Sequence, residues 1–201
     1  MAALNLAILV SGRGSNMEAI INAIQDKRLN AEIVVVLSDN KEAPALKKAK
    51  NAGIAAKFVD PLSFNREEYG EKLLQELQPY KIDLVVLAGF MRILGKTFLK
   101  AFSQRVVNIH PSLLPSFPGL DAQRQALEYG VKYSGCTVHF VDEGVDTGPI
   151  IDQVVVPVKA DDTVESLSSR ILKEEHRIYP QVLQKISEGR VKVKDRRVQI
   201  L

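Results

Sequence analysis

Residues 4–25, L-N-L-A-I-L-V-S-G-R-G-S-N-M-E-A-I-I-N-A-I-Q, decide the fold. The first seven form an apolar run of the kind buried on both faces of a parallel sheet. The next six carry Gly12 and Gly14 and cannot extend either a strand or a helix. Then Met17, Ile20, Ile21 and Ile24 return at helical spacing, with Ser15 or Asn16 placed to cap and Glu18 in the first turn. Strand, glycine turn and helix make the opening unit of an α/β sheet.

Working outward, the unit repeats. The sequence predicts strands at 31–37, 54–59, 82–90 and 105–109, and helices at 43–51, 65–78 and 96–102. Gly53 and Pro79 stop the first two of these helices. Such alternation predicts a doubly wound, mostly parallel sheet. After the proline-rich stretch 111–120 the pattern changes. A helix over 121–130 precedes an alternating strand at 134–142, a turn E-G-V-D-T-G-P, and a strand at 150–158. That is an antiparallel extension in the C-terminal third. Asp161, Asp162 and Thr163 cap a long amphipathic helix to about 187, which Pro180 is expected to kink or interrupt. The tail suits a small hairpin. No repeat or linker divides residues 1–201, so one domain is expected.

Composition narrows the class. The chain has 201 residues, 46% hydrophobic and 25% charged, enough for a sizeable core. A net charge of +3 owes much to Lys192, Lys194, Arg196 and Arg197, a solvated tail and not a nucleic-acid surface. The single cysteine, Cys136, excludes an internal disulfide and reads as a buried thiol. The first strand has no basic flank, so it is not read as a signal peptide, and no apolar run is long enough to span a membrane. A soluble, cytoplasmic protein with small-molecule partners is expected.

Two stretches carry chemistry. The turn S-G-R-G-S-N opens a helix, where free N–H groups and the helix dipole attract an anion. A dinucleotide reading has Gly12, Gly14 and Asp39 in its favour, but Met17 stands where a third glycine belongs. A P-loop lacks its Gly-Lys-Ser/Thr. A site for one phosphomonoester fits better, against the alternative of a plain capped turn. The second stretch is 106–120, V-V-N-I-H-P-S-L-L-P-S-F-P-G-L, where Asn108 and His110 share one face of a strand. They could form a functional pair or merely finish a strand. Parallel strands bring their C-terminal ends to one edge, and the loop with Asp142, Glu143 and Asp146 can reach it. A histidine, a carboxylate and an amide suit acyl transfer. No serine or cysteine stands out as nucleophile, which favours attack by a bound amine or by water. No metal site is expected, because His139 and His176 lack paired ligand spacing; they read as a strand residue and a helix-surface or packing residue.

S-G-R-G-S-N, L-A-G-F-M-R-I-L, N-I-H-P-S-L-L-P-S-F-P-G-L, V-H-F-V-D-E-G-V-D-T-G-P-I-I and E-E-H-R-I-Y-P occur in this order. Together they resemble the folate-dependent phosphoribosylglycinamide formyltransferases over nearly the whole chain. The resemblance implies a Rossmann-like formyltransferase fold and a formyl transfer from 10-formyltetrahydrofolate, as co-substrate, to the amine of glycinamide ribonucleotide in purine synthesis. It implies a catalytic trio of Asn108, His110 and Asp146: oxyanion donor, proton shuttle and the carboxylate that holds it. It places the nucleotide on Gly14, Ser15, Asn16, Met17 and Glu175. It places the folate along Met91, Arg92, Ile93, Leu94 and Asn108, and on Val141, Asp142, Glu143, Gly144, Val145 and Asp146. Arg66 and Arg92 would lie near the folate's glutamate tail, or could equally be surface charges.

Other readings remain. A 10-formyltetrahydrofolate hydrolase would use water as acceptor and would be expected to carry an N-terminal regulatory domain. Methionyl-tRNA formyltransferase would carry a C-terminal tRNA-binding domain. A nucleotide-binding module or an NAD-dependent dehydrogenase belongs to a different class. Arg13 and Leu172 depart from the family's usual polar pattern around the phosphate. Residues 111–121 could form a mobile flap, although their prolines argue for stiffness. Monomer and homodimer both stay open.

Overall fold

The computed structural model describes residues 2–201; Met1, included in the expected domain and in the expected leaderless start, lies outside them. Seven strands form one sheet in the order β3-β2-β1-β4-β5-β6-β7. These are β1 (Leu4–Val10), β2 (Ala31–Ser38), β3 (Ala56–Phe58), β4 (Leu84–Leu87), β5 (Val106–His110), β6 (Tyr133–Phe140) and β7 (Ile150–Pro157). The first five are parallel. β6 and β7 add antiparallel, with Asn108 opposite His139 and His110 opposite Thr137. The expected topology therefore holds, and the order reverses beside β1, between β1 and β4.

Both faces are covered, which is why β1 and β4 read as apolar runs. On one face α1 (Ser15–Gln25) and α6 (Val164–Ser187) seal a core that includes Ile8, Val86, Val107, Met17, Leu167 and Tyr179. On the other, α3 (Arg66–Leu77) and α4 (Lys96–Ala101) cover Leu9, Leu87 and Val106. Each large side chain fully removed from water contributes about 1.5–3 kcal/mol. α2 (Pro44–Asn51) and α5 (Ala122–Tyr129) complete the helices, and β8 (Val191–Lys194) pairs with β9 (Arg197–Ile200) as the expected hairpin.

One local expectation is corrected and a second is narrowed. Neither Ser15 nor Asn16 caps α1: Gly14 occupies the cap position at φ 71° and no side chain caps the turn. A Cβ at Gly14 would stand 2.6 Å from the Ala45 Cβ, so both its torsion and its space require glycine. Asn16 is turned inward to a different partner. Second, α6 runs through Pro180 without interruption. Thr163 closes a reciprocal capping box with Ser166, and Tyr179 is fully buried with its hydroxyl 2.9 and 3.1 Å from the carbonyls of Leu87 and Val107. These anchors on either side hold the helix to the sheet and offset the proline's missing donor.

Candidate active site

β5 carries Asn108 and His110 to the covered face that Val106 shares, and the 141–149 loop folds over them. Asp146 joins the pair. Its Oδ2 lies 3.2 Å from His110 Nδ1 and accepts the Gly119 N–H at 2.8 Å. Its Oδ1 receives the Asn108 amide at 3.4 Å. Asp146 adopts φ 54°, a left-handed torsion that Asp tolerates better than most residues. The chain accepts that strain because the carboxylate is held from three sides. So the expected trio assembles, although residues 110 and 146 are far apart in sequence.

A fourth side chain belongs to the cluster. His139, expected only as a strand residue, is 1% exposed and stands opposite Asn108 on β6. Its Nδ1 donates to the Phe140 carbonyl at 2.8 Å, which leaves Nε2 to accept from Asn108 Nδ2 at 3.2 Å. The same Nε2 lies 3.6 Å from Asp146 Oδ1. The sequence carries one signal for it, the alternation that turns position 139 inward, but the pairing register with β5 is what makes it a neighbour of Asn108.

The electrostatics follow from this packing. Burial pushes the Asp146 carboxyl up, but the His139 imidazole in its protonated form, the Gly119 N–H and protonated His110 outweigh it and hold the group below the usual carboxylate range. Burial lowers the His110 pKa; the Phe117 carbonyl and Asp146 oppose that, and His139 adds to it. Cys136 is buried, and desolvation pushes its thiol up to about 12, so it is no nucleophile.

The glycine turn lies beside this cluster at the same end of the sheet. Ser11 donates its backbone N–H to Gly89, and its hydroxyl accepts the Met91 N–H at 2.9 Å. Gly12 and Asn40 tie the turn to α2 and to the end of β2. Met17 is buried in the core, so only its backbone faces outward. Asn16 donates to Glu175 Oε2 across 2.7 Å, joining α1 to α6, and the Asn16 amide oxygen is buried without a partner. Burial raises the Glu175 pKa, with the Asn16 amide alone opposing it. Arg13 is exposed, and Leu172 sits one turn before Glu175 on α6. His176 is half-buried with an unpartnered Nε2.

On the other side, Met91 and Ile93 are 62% and 52% exposed, and Val145 is 46% exposed. Leu94 is core, so it presents only its carbonyl, which accepts from Arg66 Nε at 2.8 Å. Arg66 also donates to the Glu143 carbonyl at 3.1 Å, and Lys96 pairs with the Glu143 carboxylate at 3.0 Å. The segment 91–94 and the loop 141–146 are thereby tied as two walls. Within that loop the Asp142 carboxylate accepts the Gly144 N–H and the Thr147 hydroxyl, and Val141 continues from β6 onto Val106. Arg92 is no free surface charge. It pairs with the Asp39 carboxylate at 2.8 Å and lies 5.5 Å over the Tyr69 ring. That pairing also occupies the carboxylate a dinucleotide reading would need.

A concavity of about 430 Å³ lined by Leu77, Tyr80, Phe102 and Arg105 lies at the opposite end of the sheet, where β4 and β5 begin. Its arginine is spent on the Ala101 and Ile82 carbonyls, so it gathers no reactive set. Among the described residues no group of three or more His, Cys, Asp and Glu is arranged to hold a metal ion, and no helix is long and apolar enough to cross a membrane.

Residues 4–183 match the formyl transferase family model. The chain is 43% identical to the phosphoribosylglycinamide formyltransferase of Escherichia coli K12, over 94% of this chain and 90% of that one. It is 47% identical to the trifunctional purine biosynthetic protein adenosine-3 of Drosophila melanogaster over 92% of this chain, which spans only 14% of that relative's length. The crystal structure of glycinamide ribonucleotide transformylase 1 from Symbiobacterium toebii superposes with a TM-score of 0.97 at 50% identity, covering 99% of this chain and 94% of that one. A formyltetrahydrofolate deformylase from Pseudomonas syringae shares the fold, at a TM-score of 0.92, but only 27% identity, and this chain covers 66% of it and is itself covered to 99%.

Proposed function

The chain belongs to the formyl transferase family, and from that premise we propose that it moves the formyl group of 10-formyltetrahydrofolate to the amine of glycinamide ribonucleotide, giving formylglycinamide ribonucleotide and tetrahydrofolate in purine synthesis. The observation that carries this reading is the junction of two unlike regions at one sheet end. A buried Asn16–Glu175 pair flanks a glycine turn, and a His110–Asp146–Asn108 cluster adjoins a slot with exposed apolar walls. No side-chain nucleophile accompanies them, which suits direct attack by a substrate amine.

The residue roles belong to the same proposal. Backbone N–H groups of Gly14, Ser15, Asn16 and Met17 face the phosphate at the uncapped start of α1. Glu175 accepts from the ribose hydroxyls, steadied by Asn16. Met91, Ile93 and Val145 flank the pterin, with backbone groups of Arg92, Leu94, Val141, Asp142, Glu143 and Gly144 available as donors and acceptors. Arg66 keeps the slot's walls together and can turn a remaining N–H to the glutamate tail.

In the transfer a C–N bond to the glycinamide amine forms and the bond from the formyl carbon to the folate nitrogen breaks. The amine loses a proton and the folate nitrogen gains one. His110 carries that proton, and Asp146 stabilises the imidazolium. Asn108 donates to the oxygen on which negative charge develops. Its two amide hydrogens already point at His139 and Asp146, so the incoming oxygen draws one from the longer contact at 3.4 Å. A single domain, small-molecule partners, no metal and a cytoplasmic setting complete the proposal.

The 27% relative makes the hydrolase the alternative to exclude. Supplying 10-formyltetrahydrofolate with and without glycinamide ribonucleotide separates them. Tetrahydrofolate should appear only when the amine is present; equal turnover without it would overturn the transferase reading.

A further inference from the structure

His110 has a second partner besides Asp146. Its Nε2 lies 2.8 Å from the Phe117 carbonyl. A carbonyl only accepts, so Nε2 must carry the hydrogen. In the neutral ring that leaves the Nδ1 lone pair facing the Asp146 carboxylate, lone pair against lone pair. Both contacts become favourable only in the imidazolium. Two acceptor groups thus oppose the burial that disfavours the cation, with His110 only 5% exposed.

Phe117 is an unusual residue to supply that carbonyl. It sits at φ 54°, a left-handed torsion that is an outlier for a bulky side chain. Such strain persists only where the surroundings fix it. The hydrogen bonds that pin the proline loop stop short of it. Thr137 binds the Ser112 carbonyl and the Leu114 N–H, Gln153 binds the Leu114 carbonyl, and Ser116 turns back onto Leu113. They resume at the Pro118 carbonyl, which accepts from Gln125 at 3.5 Å, and at Gly119, on Asp146. Between them Phe117 is held by its ring, packed edge-on to Tyr129 with centroids 5.9 Å apart at 64°. Tyr129 ends α5 and is 80% exposed, outside the polar cluster.

We propose that Phe117 is a positioning residue for His110: its ring, docked on Tyr129, aims its carbonyl at Nε2 and keeps the imidazole as the proton-bearing acid of the transfer. This rests on the reading that His110 carries the proton. The other groups facing His110 are Asp146 from the 141–149 loop, His139 from β6 and Asn108 from its own strand. None of them replaces an acceptor at Nε2. Without the carbonyl the cation is destabilised and the ring's pKa falls further.

Three variants test it: Phe117→Gly keeps the torsion but loses the ring, Tyr129→Ala loses the dock from outside, and Phe117→Tyr keeps the ring. Phe117→Gly should lower kcat about tenfold, with the alkaline limb of the kcat profile moved down by about one pH unit, as expected for one lost hydrogen bond to a charged group. Tyr129→Ala should move both in the same direction by less, and Phe117→Tyr should restore both. KM for the nucleotide should not change, because the Asn16–Glu175 pair is untouched. Nitrogen NMR of His110 reads the contact without turnover: the neutral wild-type ring should hold its proton on Nε2, and Phe117→Gly should mix the two tautomers. A wild-type limb and tautomer in folded Phe117→Gly and Tyr129→Ala would overturn the inference. Full activity in His110→Ala would instead overturn the reading beneath it, while the tautomer result would still judge the contact.

Discussion

Asp146 and Glu175 are two carboxylates at one end of one sheet, and they are pushed in opposite directions. Burial raises both. Asp146 meets it with two imidazoles and a backbone N–H, and ends below the ordinary range. Glu175 has a single amide to set against it and ends above. Glu175 is the more deeply buried of the two and has fewer partners, and both differences separate them. One carboxylate stays charged beside a histidine, and the other waits for donors that a sugar's hydroxyls would bring. On the proposed function, the Asp146 region does the chemistry and the Glu175 region binds.

The sharpest way to break it is Asp146→Asn. That variant should fold and lose about 10²–10³ in kcat, since a neutral amide no longer supports the imidazolium. Near-normal turnover in a variant with native circular dichroism would remove Asp146 from the chemistry. His139→Ala should cost less, about tenfold in kcat, by leaving the Asn108 amide without one of its two acceptors. If KM for either substrate changed instead of kcat, His139 would belong to the binding region.

Glu175→Gln tests the other side. KM for the nucleotide should rise about tenfold with little change in kcat. The same variant should also be more stable than the wild type at neutral pH. A carboxyl with a raised folded pKa holds its proton in the folded state after the unfolded chain has lost it, so wild-type stability falls as pH rises above 4.5. Melting temperatures of the two proteins should converge below that pH and separate above it. Parallel curves across the range would show that Glu175 is not strained by burial. The sign reverses for Asp146, whose depressed folded pKa contributes stability that is lost only as pH falls through that lower value.

Much of this was legible in residues 4–25 and in the alternation that follows them. Apolar runs closed by glycine, and helical spacing after them, leave a parallel α/β sheet as the consistent solution, and parallel strands must collect their C-terminal ends at one edge. Asn108 and His110, two apart on a strand, had to share a face. What the spacing could not give was the company they keep. Asn16 looked like a cap and proved to be a clamp, because its partner Glu175 lies on a helix 159 residues away. Pro180, expected to kink or interrupt α6, does not interrupt it, and Tyr179 ties the helix to the sheet beside it. Arg92, read as a folate-tail contact or a surface charge, is spent on Asp39.

The sequence by itself therefore determined the order of strands and helices, the edge where the chemistry gathers, and the residue types that gather there. These follow from local periodicity and backbone sterics, which act over a few residues. Only the tertiary structure decided which donors face which acceptors: His139 against Asn108, Phe117 against His110, Asn16 against Glu175. Those pairings set the charges of the site, and they depend on strand register and on distances of a few ångströms between parts of the chain that no local pattern connects.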